Sequence, residues 1–536
     1  MSEGLIQNFE YIGAHIKDYI DDNKLFSTFE TEDIAKIMKF ANMSTKDFIT
    51  ILEQAQTTTS ANKLYFSTRN AGVAIKNFED AISLLKTLKE FLKMRILDGV
   101  IDFFIQSDKE KSDLINQIQN LQEKLNTIQN QESNKEIQSK IAELKNSDNF
   151  ESVYNFFDEL SSQGNTKVIS KACEEGLWKM KGKIGINILH QASRYGNLKL
   201  VKSLIECNCN IETPNDTGVT PLNMASAFNH LEVVKYLISV GANKETKSNS
   251  EMTPLIWESL KGHLEVVKYL ISVGANKEAK NNDVHTPLIW ASLKGHLEVV
   301  KYLISVGANK EAKNNDGHTP LIYASWEGHL EVVKYLISVG ANKEAKNNDG
   351  HTPLICASGQ GHLEVIKYLI SVGANKESKN QIGLTPLIIG SQEGHLEVVK
   401  YLISIGAYIE AKDNSNNTPL FHASGNDHLE VVKYLISVGA NKEAKNKSGS
   451  TSLFLASFYD HLEVVKYLIS VGANKEAKDN NGYTSLIRAS DDGHLEVVKY
   501  LISVGVNKEA KDNLGHTALY YAKDNVKDYL ISIGAK

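Results

Sequence analysis

Over residues 316–348 the apolar positions fall in two short bursts, parted by Gly328-His329 and followed by a polar tail. Thr319 is a natural N-cap, and Pro320 at the first helical position loses no hydrogen bond that the helix needs. A short helix with Leu321 and Ala324 facing inward is expected to end near Trp326. A second helix carries Leu330, Val333, Leu336 and Ile337 on one stripe, and Gly340 stops it as a left-handed cap. The tail 342–348, with Asp349-Gly350 after it, predicts a turn projecting from the helix pair.

This pattern recurs at a fixed interval. Pro221, Pro254, Pro287, Pro320, Pro353, Pro386 and Pro419 are each 33 residues apart, each between Thr and Leu. The Thr column continues through Thr451, Thr484 and Thr517, and backward to Asn187, giving eleven registers. The residue that parts the two bursts is Gly, Asn or Asp in every register from Gly196 to Gly493. Those residues tolerate a left-handed backbone, so the column marks a positive-φ turn. Neither helix buries enough surface alone, so stability must come from neighbouring units stacked in register.

The unit D-G-H-T-P-L-I-Y-A-S-W-E-G-H-L-E-V-V-K-Y-L-I-S-V-G-A-N at 316–342 resembles the ankyrin repeat. The resemblance covers 184–536. It implies an all-α fold: a helical solenoid of eleven units with short β-hairpin turns, behind a helical N-terminal domain, binding proteins along its concave groove. Most units carry Ile where the family has His after Thr-Pro-Leu, and only His190 keeps that histidine. Ile packing is expected to replace its hydrogen bonds. The last unit drops four residues between Ala522 and Tyr529, consistent with a capping unit.

The first 183 residues contain no proline and have amphipathic runs at 6–20 and 81–105. Tyr19-Ile20-Asp21-Asp22, Leu25-Phe26, Glu32-Asp33-Ile34 and Phe48-Ile49 resemble the helical head of ankyrin proteins from parasitic protists such as trichomonads. The head's role in that family implies no activity. Leu114, Ile118, Leu121, Leu125 and Ile128 fit a d-a-d-a-d seam, which resumes out of phase at Ile137, Ile141 and Leu144. Two readings stay open for 114–144, a self-associating coiled coil or a long helix packed on its neighbours. The expected divisions are a helical domain at 1–107, a long helix or short coiled coil at 108–149, a degenerate helical cap at 150–183, and the solenoid at 184–536.

Charge and cysteine content narrow the function. With 59 Lys and Arg against 65 Asp and Glu, the net charge of −6 argues against a nucleic-acid binder. Four cysteines in 536 residues cannot form a disulfide framework, and a cytoplasmic location is expected. No segment has the apolar length of a membrane span. Nine turn histidines, His230 to His494, each stand a repeat apart, so hydrogen bonding at the turn is expected of them and metal ligation is not. Gly176 to Lys183 misses the phosphate-loop spacing, and Cys207-Asn208-Cys209 is too close for the usual Cys-x-x-Cys chemistry. No cofactor, metal site or catalytic constellation is expected.

The second-helix segment L-E-V-V-K-Y-L-I-S is nearly unchanged from 231 to 503, whereas the first helix varies. Its variable columns lie three and four apart, hence on one face. Trp257, Trp290, Tyr323 and Trp326, flanked by Lys261 and Lys294, form the expected centre of a protein-binding patch, with Phe228, Phe458, Tyr459 and Arg488 farther along. Trp257 and Trp290 either line the groove or fill contacts between adjacent first helices. The expected role is a non-enzymatic scaffold or adaptor. The alternatives are a substrate-recruiting subunit of a larger complex such as a ubiquitin ligase, and an enzyme with catalysis in the N-terminal domain.

Overall fold

The computed structural model describes residues 96–536, with Tyr11, Ala14 and His15 before them. Most of the expected helix at 6–20, most of 81–105 and the residues that carry the head resemblance lie outside the described residues. The chain divides into two units, Met1–Gln138 and Ser139–Lys536.

In the first unit, helix α1 begins; it spans Ile96–Lys145. Leu114, Ile115, Ile118 and Leu121 are all exposed, Leu121 at 64 %. The second unit contains the end of α1, where Ile141 and Leu144 are buried. The apolar seam thus has two fates, open to solvent along 114–121 and buried at its end.

Helices α2 (Phe150–Gln163) and α3 (Thr166–Glu174) follow as a tight pair. Asn149 and Asn165 cap them, each side chain accepting from a backbone N–H three residues on. Gly164 turns the chain between them with φ of 73°. Val153, Phe157, Ile169 and Ala172 are buried beneath the first repeat's second helix, Leu198–Glu206.

Eleven helix pairs then stack. In the fifth repeat Thr319 Oγ1 accepts from the Ile322 N–H at 3.3 Å, and the helix is Pro320–Trp326, as the spacing predicts. The second helix is Leu330–Ser338. Its buried face is Val332, Val333 and Leu336, while Leu330 and Ile337 are half-buried. The stripe is rotated toward Val332 because each second helix touches both its own first helix and the neighbouring second helix. The turn column has positive φ where glycine is replaced as well, 62° at Asn229, 59° at Asp427 and 62° at Asp460. Ile256, Ile289, Ile322 and Ile355 are fully buried in place of the missing histidines. His190, the one retained, takes both roles of the family residue: it closes a capping box with Asn187, and its Nε2 lies 2.9 Å from the Val219 carbonyl.

No strand occurs among the described residues, so the expected hairpins are tight turns. Asn314 N–H donates to the His318 carbonyl at 3.2 Å, and Gly317 N–H to the Asn314 carbonyl at 3.0 Å. Beyond that single bridge the loop bonds sideways, Asn348 N–H donating to the Asp316 carbonyl of the previous turn at 2.8 Å.

Four side-chain ladders join successive units. Seven of the nine turn histidines place Nε2 on a carbonyl 36 residues earlier, for example His329 on Leu293 at 3.0 Å. Lys343 Nζ donates to the Val372 carbonyl at 2.6 Å, at the end of the next second helix. Glu311 Oε1 accepts from the Asn342 N–H at 2.8 Å. Asn348 Nδ2 donates to the Asn315 carbonyl at 2.8 Å. Each contact recurs in other units, so the repeated polar tail and the turn histidines act as the glue between repeats. Net hydrogen bonds of this kind are worth about 1 kcal/mol each, and here they repeat along most of the array.

Candidate functional site

With the second helices and turns committed to stacking, the variable face of the first helices is free to carry chemistry. Its best-developed stretch spans the third to fifth repeats. Trp257, Leu260 and Trp290 pack against a small core of Met252, Ile256 and Ala279. Both indoles are half-buried, and their Nε1 atoms are buried without a hydrogen-bond partner among the described residues. These two tryptophans therefore serve the packing of adjacent first helices while remaining partly exposed. Trp326, beside the turn, is 37 % exposed, and Lys261 and Lys294 are exposed.

Tyr323 ties this face to the turns. Asn314 Nδ2 donates to the Tyr323 hydroxyl at 2.9 Å, and that hydroxyl lies 2.9 Å from His285 Nε2. A phenol that already accepts from Asn314 donates onward, which makes His285 Nε2 an acceptor and leaves its proton on Nδ1. His318 and His351 lack an intervening tyrosine: Asn347 Nδ2 lies 3.1 Å from His318 Nε2, and Asn380 Nδ2 lies 2.9 Å from His351 Nε2. Burial holds all three histidines below their ordinary pKa, so they stand as neutral rings. Burial, then the nearby Asp316, pushes the Tyr323 phenol up to about 12.

The rings form a continuous run. His285 lies 4.9 Å from Trp290 and 5.4 Å from Tyr323; His318 stacks on Tyr323 at 4.8 Å and meets Trp326 edge-on at 5.6 Å. His285 and His318 did not figure among the expected site residues. Their signal is a column just before the Thr column, reading His285, His318 and His351 in succession beside the Trp and Tyr positions.

The remaining expected residues form two separate flanks. Phe228 is exposed and lies under the Arg194 guanidinium at 5.0 Å. Toward the other end Phe458 is half-buried and Tyr459 is 52 % exposed. Arg488 is not free: its guanidinium sits 4.1 Å over the Phe458 ring, and its Nε lies 2.9 Å from Asp492. Between the aromatic run and Phe458 the column has no aromatic ring but His422: Cys356 is buried, Ile389 half-buried, and His422 bonds to Asp413 at 2.9 Å.

Among the described residues no group of three or more His, Cys, Asp or Glu side chains is placed to hold a metal ion. No described helix is long and apolar enough to cross a membrane. The arrangement offers a rigid, half-buried aromatic surface with fixed neutral hydrogen-bonding groups, which suits recognition.

No curated protein matches the chain. A family model described as ankyrin repeats (3 copies) matches at residues 189–281, 261–347, 339–413, 409–479 and 471–536. Together with the Thr-Pro-capped helix pairs, the left-handed turns and the register of 33 residues, that coverage places the chain in the ankyrin-repeat family.

Proposed function

We propose that this protein is a cytoplasmic, non-enzymatic scaffold or adaptor that holds a protein partner against the first-helix face of its array. The observation that carries the reading is the run Trp290–His285–Tyr323–His318–Trp326, an aromatic surface built where the units vary. Trp257, flanked by Lys261 and Lys294, extends it. Phe228 and the Phe458, Tyr459 and Arg488 group are secondary contacts. Aromatic rings held by packing bind with little loss of rotamer freedom, which is why such positions dominate interfaces.

The reading takes 184–536 as the binding array, 150–183 as its cap, 108–149 as a connecting helix and 1–107 as a helical head of the protist type. A second copy of the chain is a further partner, favoured by the exposed Leu114, Ile115, Ile118 and Leu121. Affinity purification from cell extract with the full chain, compared with a Trp290→Ala/Trp326→Ala variant, tests the groove. A protein retained by the wild type and lost by a variant with unchanged thermal melting supports the reading. Equal retention by both sinks it. Sedimentation of the full chain and of a Leu114→Glu/Leu121→Glu variant tests self-association, which predicts a dimer that the variant abolishes.

A further inference from the structure

Three of the four cysteines meet at one point where the cap covers the first repeat, Cys173 from the cap and Cys207 and Cys209 from the repeat. Cys173 closes α3, and its Sγ lies 3.9 Å from Cys209 Sγ, 36 residues on. Cys173 and Cys209 are buried; Cys207 is half-buried, and its thiol faces Cys173 as well.

The turn that gathers them is a helix cap. Asn208 is left-handed with φ of 58°, and the Cys209 N–H folds back onto the Leu204 carbonyl at 3.1 Å. Elsewhere in the array the three residues here are Val-Gly-Ala, as at Val240-Gly241-Ala242 and Val273-Gly274-Ala275, with Ile or Val as the only variants. Cysteine enters these two columns in one repeat, the one whose neighbour carries Cys173. Packing does not demand it, since Val and Ala fill the same places in the other repeats.

We infer that Cys173 and Cys209 form a reversible disulfide that staples the cap to the first repeat under peroxide, with Cys207 as the entry thiol. Cys207 sulfur attacks the peroxide; an S–O bond forms, the O–O bond breaks, and water leaves. Cys173 sulfur then displaces hydroxide from the Cys207 sulfenic acid, losing its proton to solvent and forming an S–S bond. Cys209 sulfur, its proton lost to solvent, then attacks Cys173; the Cys173–Cys209 bond forms, the Cys207–Cys173 bond breaks, and Cys207 leaves as thiolate and is reprotonated. The sum is two thiols and one hydrogen peroxide giving one disulfide and two waters. The gap of 3.9 Å must close to a bond of about 2 Å, which side-chain rotation can supply.

The neighbouring Cys209 thiol and then burial raise Cys173, and burial pushes Cys207 to about 11, so both of these thiols are protonated at neutral pH. Oxidation is therefore slow at rest, and its rate should climb about tenfold per pH unit between 7 and 9. The staple acts on an end of the array, where opening is easiest.

The test treats the reduced full chain with hydrogen peroxide at pH 8, blocks residual thiols with N-ethylmaleimide and maps peptides by mass spectrometry. The expected product is a Cys173–Cys209 linked peptide, released by dithiothreitol, with hydrogen exchange of 150–183 slowed about tenfold. Cys209→Ala and Cys207→Val restore residues that other repeats use, so both chains are expected to fold. The first should abolish the bridge and the second should slow its formation at least tenfold. Oxidation that stops at sulfinic acid, a bridge to Cys356, or no bridge after prolonged peroxide overturns the proposal. A bridge formed at the wild-type rate in Cys207→Val removes Cys207 from the route.

Discussion

Glu258 Oε2 lies 2.8 Å from His263 Nδ1, with the Glu258 side chain fully buried and its Oε1 lacking any hydrogen-bond partner among the described residues. Other units carry Ala at this column, as at Ala225, Ala291 and Ala324, or Gly at Gly390. A carboxyl in that place is raised by burial to about 10, and burial lowers His263, so the pair is neutral around pH 7. From about 4.5 upward the unfolded chain releases the Glu258 proton while the folded chain keeps it, so stability falls as pH rises toward 10. Below about 6.5 the lowered His263 works the other way, costing stability as the unfolded imidazole takes up its proton. Glu258→Ala should thus leave stability near pH 5 little changed and raise it by about 2 kcal/mol at pH 8. Urea unfolding of both chains at the two pH values checks this; equal differences at both would refute it.

The histidine ladder predicts a coupling between residues in different repeats. His329 Nε2 bonds the Leu293 carbonyl at 3.0 Å, and a Cβ added at Gly295, where φ is 74°, would come within 2.6 Å of His329 Nδ1. His329→Ala should cost about 1 kcal/mol. Gly295→Ala should cost about 2 kcal/mol or more, combining backbone strain with displacement of the ring. The double variant should cost less than the sum by at least about 0.5 kcal/mol, because the ring is gone. Additive losses in urea titrations would show that the two do not touch.

Deleting 352–384 joins His351 to Thr385, reproducing the His–Thr junction found before Thr352 and restoring the spacing of the ladders. That chain should keep its helicity per residue and melt cooperatively a few degrees lower. A deletion one residue shorter should expose the junction to proteases. Circular dichroism and limited trypsin digestion distinguish the outcomes.

Ser292, Ser325 and Ser358 are buried with hydroxyls that have no partner among the described residues. Ser457 shows the alternative, its hydroxyl donating to the Leu453 carbonyl at 2.8 Å. Replacing Ser325 with Ala should raise stability by about 1 kcal/mol, whereas Ser457→Ala should not. Thermal melts of the two variants give opposite signs if the hydroxyl environments differ as described.

The helix pairs, their Thr-Pro starts and their left-handed turns were legible in the sequence because each depends on a local backbone preference repeated many times. The roles of His285 and His318 did not follow, because their partners Tyr323 and Asn347 belong to the next repeat and only stacking brings them close. The same holds for the ladders, whose donors and acceptors are 29 to 36 residues apart. Arg488 looked like a groove cation, yet Asp492 one turn on and Phe458 in the neighbouring unit engage it. The meeting of Cys173 with Cys209 was invisible for a related reason: nothing in the repeat register predicts where the cap helix ends.

Because the ladders bond each unit to its neighbour through the same residue types, a folding chain meets many almost equivalent partners for every second helix. A nucleus formed in the middle can recruit a unit that is wrong by one or more whole repeats at almost no energetic penalty. Contacts particular to one joint, such as His285–Tyr323 and Arg488–Phe458, break that degeneracy locally, and the ends break it outright: the α2–α3 pair fits the first repeat through Asp158–Asn197 and Ser162–Lys199 contacts, and the shortened last unit fits the tenth. Correct registry is thereby decided at the boundaries, and mispaired intermediates should persist longest in chains that lack them.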